Sequence, residues 1–312
     1  YFSRLCRKNS VHTGQKAWDY FINNWLPLQM EWVASLDRGW PTAMRGTRDC
    51  AQDYTAMLSI DHKIGRIRLL EMLSCQRTDG WFPRQFSTEG RTGRHDLRGH
   101  VDAGVFVIEF VYSYLAYSGD SGVLDVSLPW MDSACGNTVL EHLIRAMDYY
   151  IDPKNLGEHG LCKIGEGDWL DSVNRAGVLG RGESVMVSEQ AVMCLYYMAE
   201  ILKKRNSRWE TIEKYGKKAG EVKKNLLTCA YNPKGFFNGI FTDEGKWIFS
   251  DEDPDGETRP YGPVNWFALI SGIVPAEKRE SVLQVKDMLK CGAGYRLYWP
   301  PMGRIPIRCV GR

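Results

Sequence analysis

Apolar side chains recur along this chain at the three-to-four-residue spacing of helices that bury one face. In 18–25, the positions Trp18, Phe21, Ile22 and Trp25 share a face. In 53–75 the set is Met57, Ile60, Ile64, Ile67 and Leu70, and in 102–117 it is Val105, Ile108, Val111, Tyr112 and Leu115. The fullest stripe lies in 187–202, where Val187, Ala191, Cys194, Leu195, Met198 and Leu202 line up. Further helices are expected over 138–150, 207–228, 264–273 and 275–289. In the last, Pro275 suits the first turn, where its missing N–H is not needed. Three long loops rich in Gly, Asp and aromatic residues, 79–95, 157–183 and 232–263, separate these elements. The third is expected to hold a short hairpin within 236–249, turning at Asp243-Glu244-Gly245. The pattern predicts an all-α array of helical hairpins over 1–312, with chemistry on loops at one end.

Composition narrows the function classes. The chain has 312 residues, 44% hydrophobic and 25% charged, with a formal net charge of +2. That balance gives no general electrostatic handle for nucleic acid or an anionic membrane. The basic stretch 207–224 is interspersed with Glu210, Glu213 and Glu221 and reads as a solvated helix face. Aromatic residues make up 12%, including eleven Trp; they serve equally as a core or as platforms for sugar rings. Nine cysteines, an odd number with no C-x-x-C, argue against a disulfide framework and a zinc site. With no sequon, no signal peptide and no apolar run of membrane-spanning length, the expected setting is cytoplasmic. The chain begins at Tyr1 and is open to being a piece of something longer. Serine-hydrolase, P-loop, dinucleotide and zincin signatures are absent, and neither a metal nor a cofactor is expected.

Three segments carry candidate chemistry. Gly165-Glu166-Gly167-Asp168-Trp169-Leu170-Asp171-Ser172-Val173-Asn174-Arg175 packs three carboxylates, a Trp and an Arg into a loop. Glycosidic cleavage needs a carboxylic acid to protonate the leaving oxygen, and Asp168 or Asp171 beside an indole can supply it. The plain alternative is a solvated Asp loop. Arg45-Gly46-Thr47-Arg48-Asp49 precedes an apolar helix. There Arg and Asp can bind neighbouring sugar hydroxyls, or Thr47 or Asp49 can cap the helix. Residues 91–102 hold Arg91, Arg94, His95, Asp96, Arg98, His100 and Asp102. They suit an anion, a polar rim or a loop knitted by ion pairs.

These residues together resemble glycoside hydrolase family 94, the cellobiose and chitobiose phosphorylases, and related β-glucan phosphorylase families. The family's Asp-Trp-Asn-Asp-Gly-Met-Asn loop is matched by Asp168–Asn174, and its Gly-x-x-Gly-Lys-Gly-Glu-Ser-Val run by Gly177–Val185. Its Arg-Asp-x-x-Gln-Asp motif is matched by Arg48–Asp53, after Trp25-Leu26-Pro27. Weaker matches are His100-Val101-Asp102 and Asn265–Gly272. The resemblance implies an (α/α)6 toroid and an inverting phosphorolysis of a β-linked glucan or disaccharide, with inorganic phosphate as co-substrate. It implies that Asp171 is the general acid and that Arg48 and Asp49 hold the donor sugar. Arg45, Asp168, Trp169 and Glu183 are further expected substrate contacts.

Leu170, Ser172 and Val173 depart from the family's Asn, Gly and Met, and Arg181 from its Lys. After Tyr298-Trp299-Pro300-Pro301 only Met302–Arg312 remain, so the toroid is expected to be incomplete on its C-terminal side, with further domains or a homodimer as partners. Two rival readings stand beside the phosphorylase. An inverting hydrolase or transglycosylase needs a second carboxylate roughly 6.5–9.5 Å from the acid, for which Glu166, Asp168 and Glu183 are candidates. A non-catalytic carbohydrate-binding fragment needs none.

Overall fold

The computed structural model describes residue 6, residues 10–35 and residues 43–303. Helices dominate and fall where the periodicity predicts them. Helix α1 (Lys16–Tyr20) passes through a π-helical turn, Phe21–Trp25, into α2 (Leu26–Ser35). There follow α3 (Thr47–Ser74), α4 (Ala103–Ser118), α5 (Val139–Ile151), α6 (Val185–Lys204), α7 (Trp209–Asn225) and α8 (Gly262–Ile270). The single helix expected over 275–289 is three pieces: a 3-10 turn Ala276–Lys278, then α9 (Arg279–Leu283) and α10 (Val285–Leu289). Pro275 stands just before the first piece, in extended conformation, rather than in its first turn.

The chain forms two compact units, one of residues 1–97 and 106–143, the other of residues 98–105 and 144–312. In the first unit, α3 shows where periodicity misleads. Asp61 is non-helical (φ −149°, ψ 88°) and kinks the helix. The buried face keeps one phase on both sides of the kink, from Cys50, Ala51, Tyr54 and Leu58 to Gly65, Leu69, Met72 and Leu73, and it is not the face the apolar spacing suggests. Ile67, expected in the stripe, is 57% exposed. Trp18 and Trp25 are likewise on the surface.

The chain is helix-rich, and short antiparallel pairs accompany the helices. In this unit β1 (Met44–Gly46) pairs with β2 (Gln85–Ser87), and β3 (Ser127–Trp130) with β4 (Ser133–Thr138). Buried His142 on α5 sits among neutral groups. Its Nδ1 lies 2.9 Å from Gln76 Oε1 and its Nε2 3.3 Å from the Leu128 carbonyl, and Trp130 stacks on the ring at 3.7 Å between centroids.

The second unit is built on α6. Every member of its predicted stripe, Val187, Ala191, Cys194, Leu195, Met198 and Leu202, is buried. By length and composition α6 is apolar enough to cross a membrane, but it is the core helix of this unit, packed on α7 and α8. Strand β5 (Glu183–Ser184) pairs with β6 (Ile240–Phe241), and β6 with β7 (Trp247–Ile248). The predicted hairpin is therefore present. Gly245 takes φ +72°, which closes the turn from Thr242 to Lys246. A last pair, β8 (Lys290–Cys291) and β9 (Gly294–Tyr295), follows α10. The described cysteines form no disulfide among themselves.

Candidate active site

The loop 165–175 lies in the second unit and is fastened along both edges. On one edge it zips onto residues 99–101: the Glu166 N–H donates to the Gly99 carbonyl, and the Val101 N–H to the Gly167 carbonyl, each at 3.0 Å. The Glu166 carboxylate accepts the Gly99 N–H at 2.5 Å. Segment 99–101 is itself tied down, because the Tyr150 hydroxyl donates to the Val101 carbonyl and accepts the Val105 N–H near the start of α4.

The other edge is held by Asp168, which is only 2% exposed. Its Oδ1 accepts the Leu170 N–H and its Oδ2 the Ser184 hydroxyl at 2.6 Å. Ser184 also caps α6, its Oγ accepting the Val187 N–H at 3.1 Å. Leu170, Val173 and Ala176 bury their side chains beneath the loop. What the loop leaves outward is Glu166, Ser172, Arg175 and Asp171, the last with its side chain 51% exposed and a half-buried Trp169 nearby in the chain. Asp171 faces one ring, His100, whose Nε2 lies 3.6 Å from Oδ1.

Glu183 follows the same logic as Asp168. It is fully buried. Its Oε1 accepts the His159 and Leu161 N–H groups, and its Oε2 meets His159 Nδ1 at 2.5 Å. Both carboxylates, expected as substrate contacts, lie buried and accept hydrogen bonds from protein donors. They hold loops in place.

Sequence reasoning missed Asp243 in the same role, treating it as a turn residue. Its carboxylate gathers the N–H groups of Leu179, Arg181 and Gly182. Arg181 forks onto Glu158 with two bonds of 3.0 Å. This planar pairing is open to guanidinium and not to the ammonium of Lys.

The first unit carries Arg45, Arg48 and Asp49. Arg45 sits on β1 and reaches Glu71 at 3.4 Å, and Arg68 meets the same carboxylate at 2.7 Å. The cap of α3 is Gly46, not Thr47 or Asp49, and it makes no side-chain cap bond. The Thr47 hydroxyl turns instead to the Pro83 carbonyl at 2.7 Å. Asp49 folds back over the helix start, and a Cβ on Gly46 would meet its Oδ2 at 2.0 Å. Glycine is what gives that carboxylate its place, in the first turn, where the helix end favours an anion.

The polar segment 91–102 divides between two tasks. His95 knits its own loop. Its Nδ1 accepts the Ser87 N–H, so Nε2 carries the proton and donates to the Arg91 carbonyl at 2.9 Å. His100, by contrast, faces the acid loop. No group of three His, Cys, Asp or Glu among the described residues is arranged to hold a metal ion.

The family model "Glycosyl hydrolase 94 superfamily, catalytic domain" matches residues 1–310. A 3-O-β-D-glucopyranosyl-β-D-glucuronide phosphorylase of Paenibacillus borealis is 26% identical over 93% of this chain and 38% of its own length. A cellobionic acid phosphorylase of Neurospora crassa is 27% identical over 96% of this chain and 38% of its own length. The chain thus spans well under half the length of these relatives. Among solved structures, a cellobiose 2-epimerase from Bacillus thermoamylovorans shares the fold, with a TM-score of 0.58 at 10% identity, covering 95% of this chain and 77% of that one.

Proposed function

Since this chain belongs to the Glycosyl hydrolase 94 superfamily, as its catalytic domain, we propose that it supplies the acid-bearing part of an inverting β-glycoside phosphorylase built on an (α/α)6 toroid. The observation that carries this reading is the contrast within one loop: Asp168 is buried and bonded at both oxygens, whereas Asp171, three residues on, is half exposed on a fixed backbone. Asp171 protonates the leaving glycosidic oxygen, and phosphate attacks the anomeric carbon from the opposite face. The bond to the leaving oxygen breaks with its electron pair going to that oxygen. The product is a sugar 1-phosphate of inverted configuration. Trp169 offers a ring face to the sugar, and the family resemblance makes Arg48 and Asp49, with Arg45, candidate contacts to the donor sugar. The substrate is a β-linked glucan or disaccharide. Inorganic phosphate is the co-substrate, with no cofactor, in the cytoplasm. Further domains or a second copy would supply the remaining phosphate contacts.

An inverting hydrolase needs a base carboxylate to activate water. Of its candidates, Asp168 and Glu183 are buried and occupied, which leaves the exposed Glu166, with one oxygen on the Gly99 N–H, as the carboxylate a hydrolase would use. The test is product analysis on β-linked gluco-oligosaccharides with and without inorganic phosphate. Sugar 1-phosphate formed only with phosphate, and reduced about 10²–10⁴-fold by Asp171→Asn, is the expected result. Free sugar released regardless of phosphate would replace this reading with a hydrolase; no product would leave a binding module.

A further inference from the structure

Residues 164–177 form a compact loop whose two ends nearly touch. A Cβ on Gly177 would stand 2.3 Å from Ile164 Cγ2 and 3.2 Å from the backbone N and O of Gly165. A Cβ on Gly182 would stand 2.6 Å from the Ala176 carbonyl oxygen. The Ile164 N–H donates to the Gly182 carbonyl at 2.9 Å. This crossing is the neck of the loop, and glycine is what lets the backbone pass itself so closely there. Asp171 lies midway between Gly165 and Gly177, as far along the chain from the neck as the loop allows. The bonds to residues 99–101 and to Ser184 hold the outgoing limb, 165–170. The return limb, 172–177, leads into a turn closed by the Gly180 N–H on the Gly177 carbonyl.

Asp243 grips that return limb from the β6–β7 hairpin. Its N–H donates to the Ala176 carbonyl at 2.7 Å. Its Oδ2 accepts the Leu179 N–H at 2.7 Å, and its Oδ1 accepts the Arg181 and Gly182 N–H groups at 2.9 and 3.0 Å. Backbone N–H groups that converge in this way make a concavity for an anion, and bonds to a carboxylate are stronger than those to a neutral acceptor. The hairpin is fixed in turn. Strand β6 pairs with β5, and the Arg181 guanidinium lies 2.6 Å from where a Cβ on Gly245 would stand, with Glu158 on its fork and the Phe241 ring beneath it.

We propose that Asp243 is a positioning residue for the general acid: by holding residues 176–182 it closes the neck of the loop and so sets where the Asp171 carboxyl stands. The proposal rests on Asp171 being the acid. Proton transfer needs the donor within hydrogen-bond reach of the leaving oxygen, and a misplacement of about 1 Å can cost roughly 10²-fold. Asp243 exchanges no proton in the step; its effect passes through the backbone.

Two variants and a control, each made in the whole chain, test this. Asp243→Ala removes all three acceptor contacts. Asp243→Asn keeps one oxygen for Arg181 and Gly182 and sets an NH2 against the Leu179 N–H. Ser281→Ala, the control, removes a hydrogen bond to the Tyr231 hydroxyl in the same unit and touches neither limb of the loop. The first readout is deuterium uptake of a peptide covering 168–175, where the Leu170 and Val173 amides are bonded within the loop. Uptake there should quicken about tenfold in Asp243→Ala, less in Asp243→Asn, and not in Ser281→Ala. Unchanged uptake in Asp243→Ala, or an equal rise in the control, would overturn the proposal.

The second readout is turnover with inorganic phosphate on two kinds of substrate. A β-linked glucose disaccharide releases an alcohol, which needs the proton. A dinitrophenyl β-glucoside releases a stable phenolate, which does not. Asp243→Ala should lower kcat on the disaccharide by about 10–10²-fold and leave the aryl glucoside nearly unchanged, with Asp243→Asn between. An equal fall on both substrates would mean that Asp243 only holds the unit together, and would overturn the proposal. A chain inactive on both substrates but with the faster uptake would lose the phosphorylase reading and keep Asp243 as the residue that sets the loop.

Discussion

His142, in the unit of residues 1–97 and 106–143, and Glu189, in the unit of residues 98–105 and 144–312, are both wholly buried, but their surroundings differ in kind. His142 has carbonyl oxygens at both nitrogens and an indole stacked on its face. Burial pushes its pKa down to about 4, against the upward pull of the Leu128 carbonyl. Glu189, on α6, has no hydrogen-bond partner for either oxygen among the described residues, and burial drives its pKa well above the usual carboxylate range. Each group is held uncharged, one by losing a proton and the other by keeping it. These two groups therefore make pH-dependent contributions of opposite sign. Of the other buried carboxylates of the second unit, Asp168 and Glu183 accept hydrogen bonds at both oxygens. Glu189 is one place where that unit carries a buried polar group without compensation, the neighbouring Gln190 being another.

The largest effect expected from this contrast is at His142. Its native pKa is depressed, so the unfolded chain binds more protons between about pH 4 and 6.5. Stability contributed by the neutral ring is complete above about 6.5 and is lost as pH falls toward 4, a change of roughly 3 kcal/mol for a shift of about 2.5 units. His142→Phe keeps a ring against Trp130 and should flatten this acid slope in denaturant titrations run across that range. An unchanged slope would show that His142 is not its source.

Glu189 gives the opposite sign. Its native pKa is raised, so stability is greatest below the unfolded carboxylate pKa and declines as pH rises. Glu189→Met removes the buried carboxyl at similar length. It should raise the denaturation midpoint at pH 7–8 by more than at pH 4, by up to a few kcal/mol. A variant that is less stable at neutral pH would mean that Glu189 has a partner in the folded protein.

The smallest effect tests the compensated carboxylate. Ser184→Ala removes both the hydroxyl on Asp168 and the cap of α6, and should cost about 1–2 kcal/mol. Any pH dependence of that loss should stay well below the other two. A steep pH dependence would show that Asp168 is held less securely than its two bonds imply.

How much of this was legible in the sequence varies by residue. The stripe on α6 was read correctly because a straight, fully buried helix keeps its phase for five turns. The stripe on α3 was not, because Ile60, Ile64, Ile67 and Leu70 offer a second apolar face, while the buried one runs through Ala51, Tyr54, Leu58, Gly65 and Leu69 and leaves Ile67 outside. The acid loop could be located from its own residues, but the division of labour within it could not. Asp168 and Asp171 look alike as letters, and only the position of Ser184 decides which one is buried. The same holds for Glu183, whose donors come from 159 and 161, and for Asp243, which read as a turn residue because its three partners lie more than sixty positions away. His100 was noticed for its charged neighbours, while its contact with Asp171 follows from a backbone pairing that no local spacing encodes.

The double bonding of Ser184 has a kinetic corollary. Its Oγ serves Asp168 and the Val187 amide at once, so an outward swing of the acid loop strips one bond from the group that covers the start of α6. The Val187 amide, buried and near the end of its helix, is therefore a clock for the loop. Its rate of exchange with deuterated solvent counts how often the segment carrying Asp171 lifts from its seat, and a bound sugar that stills the loop would slow that clock without touching the helix.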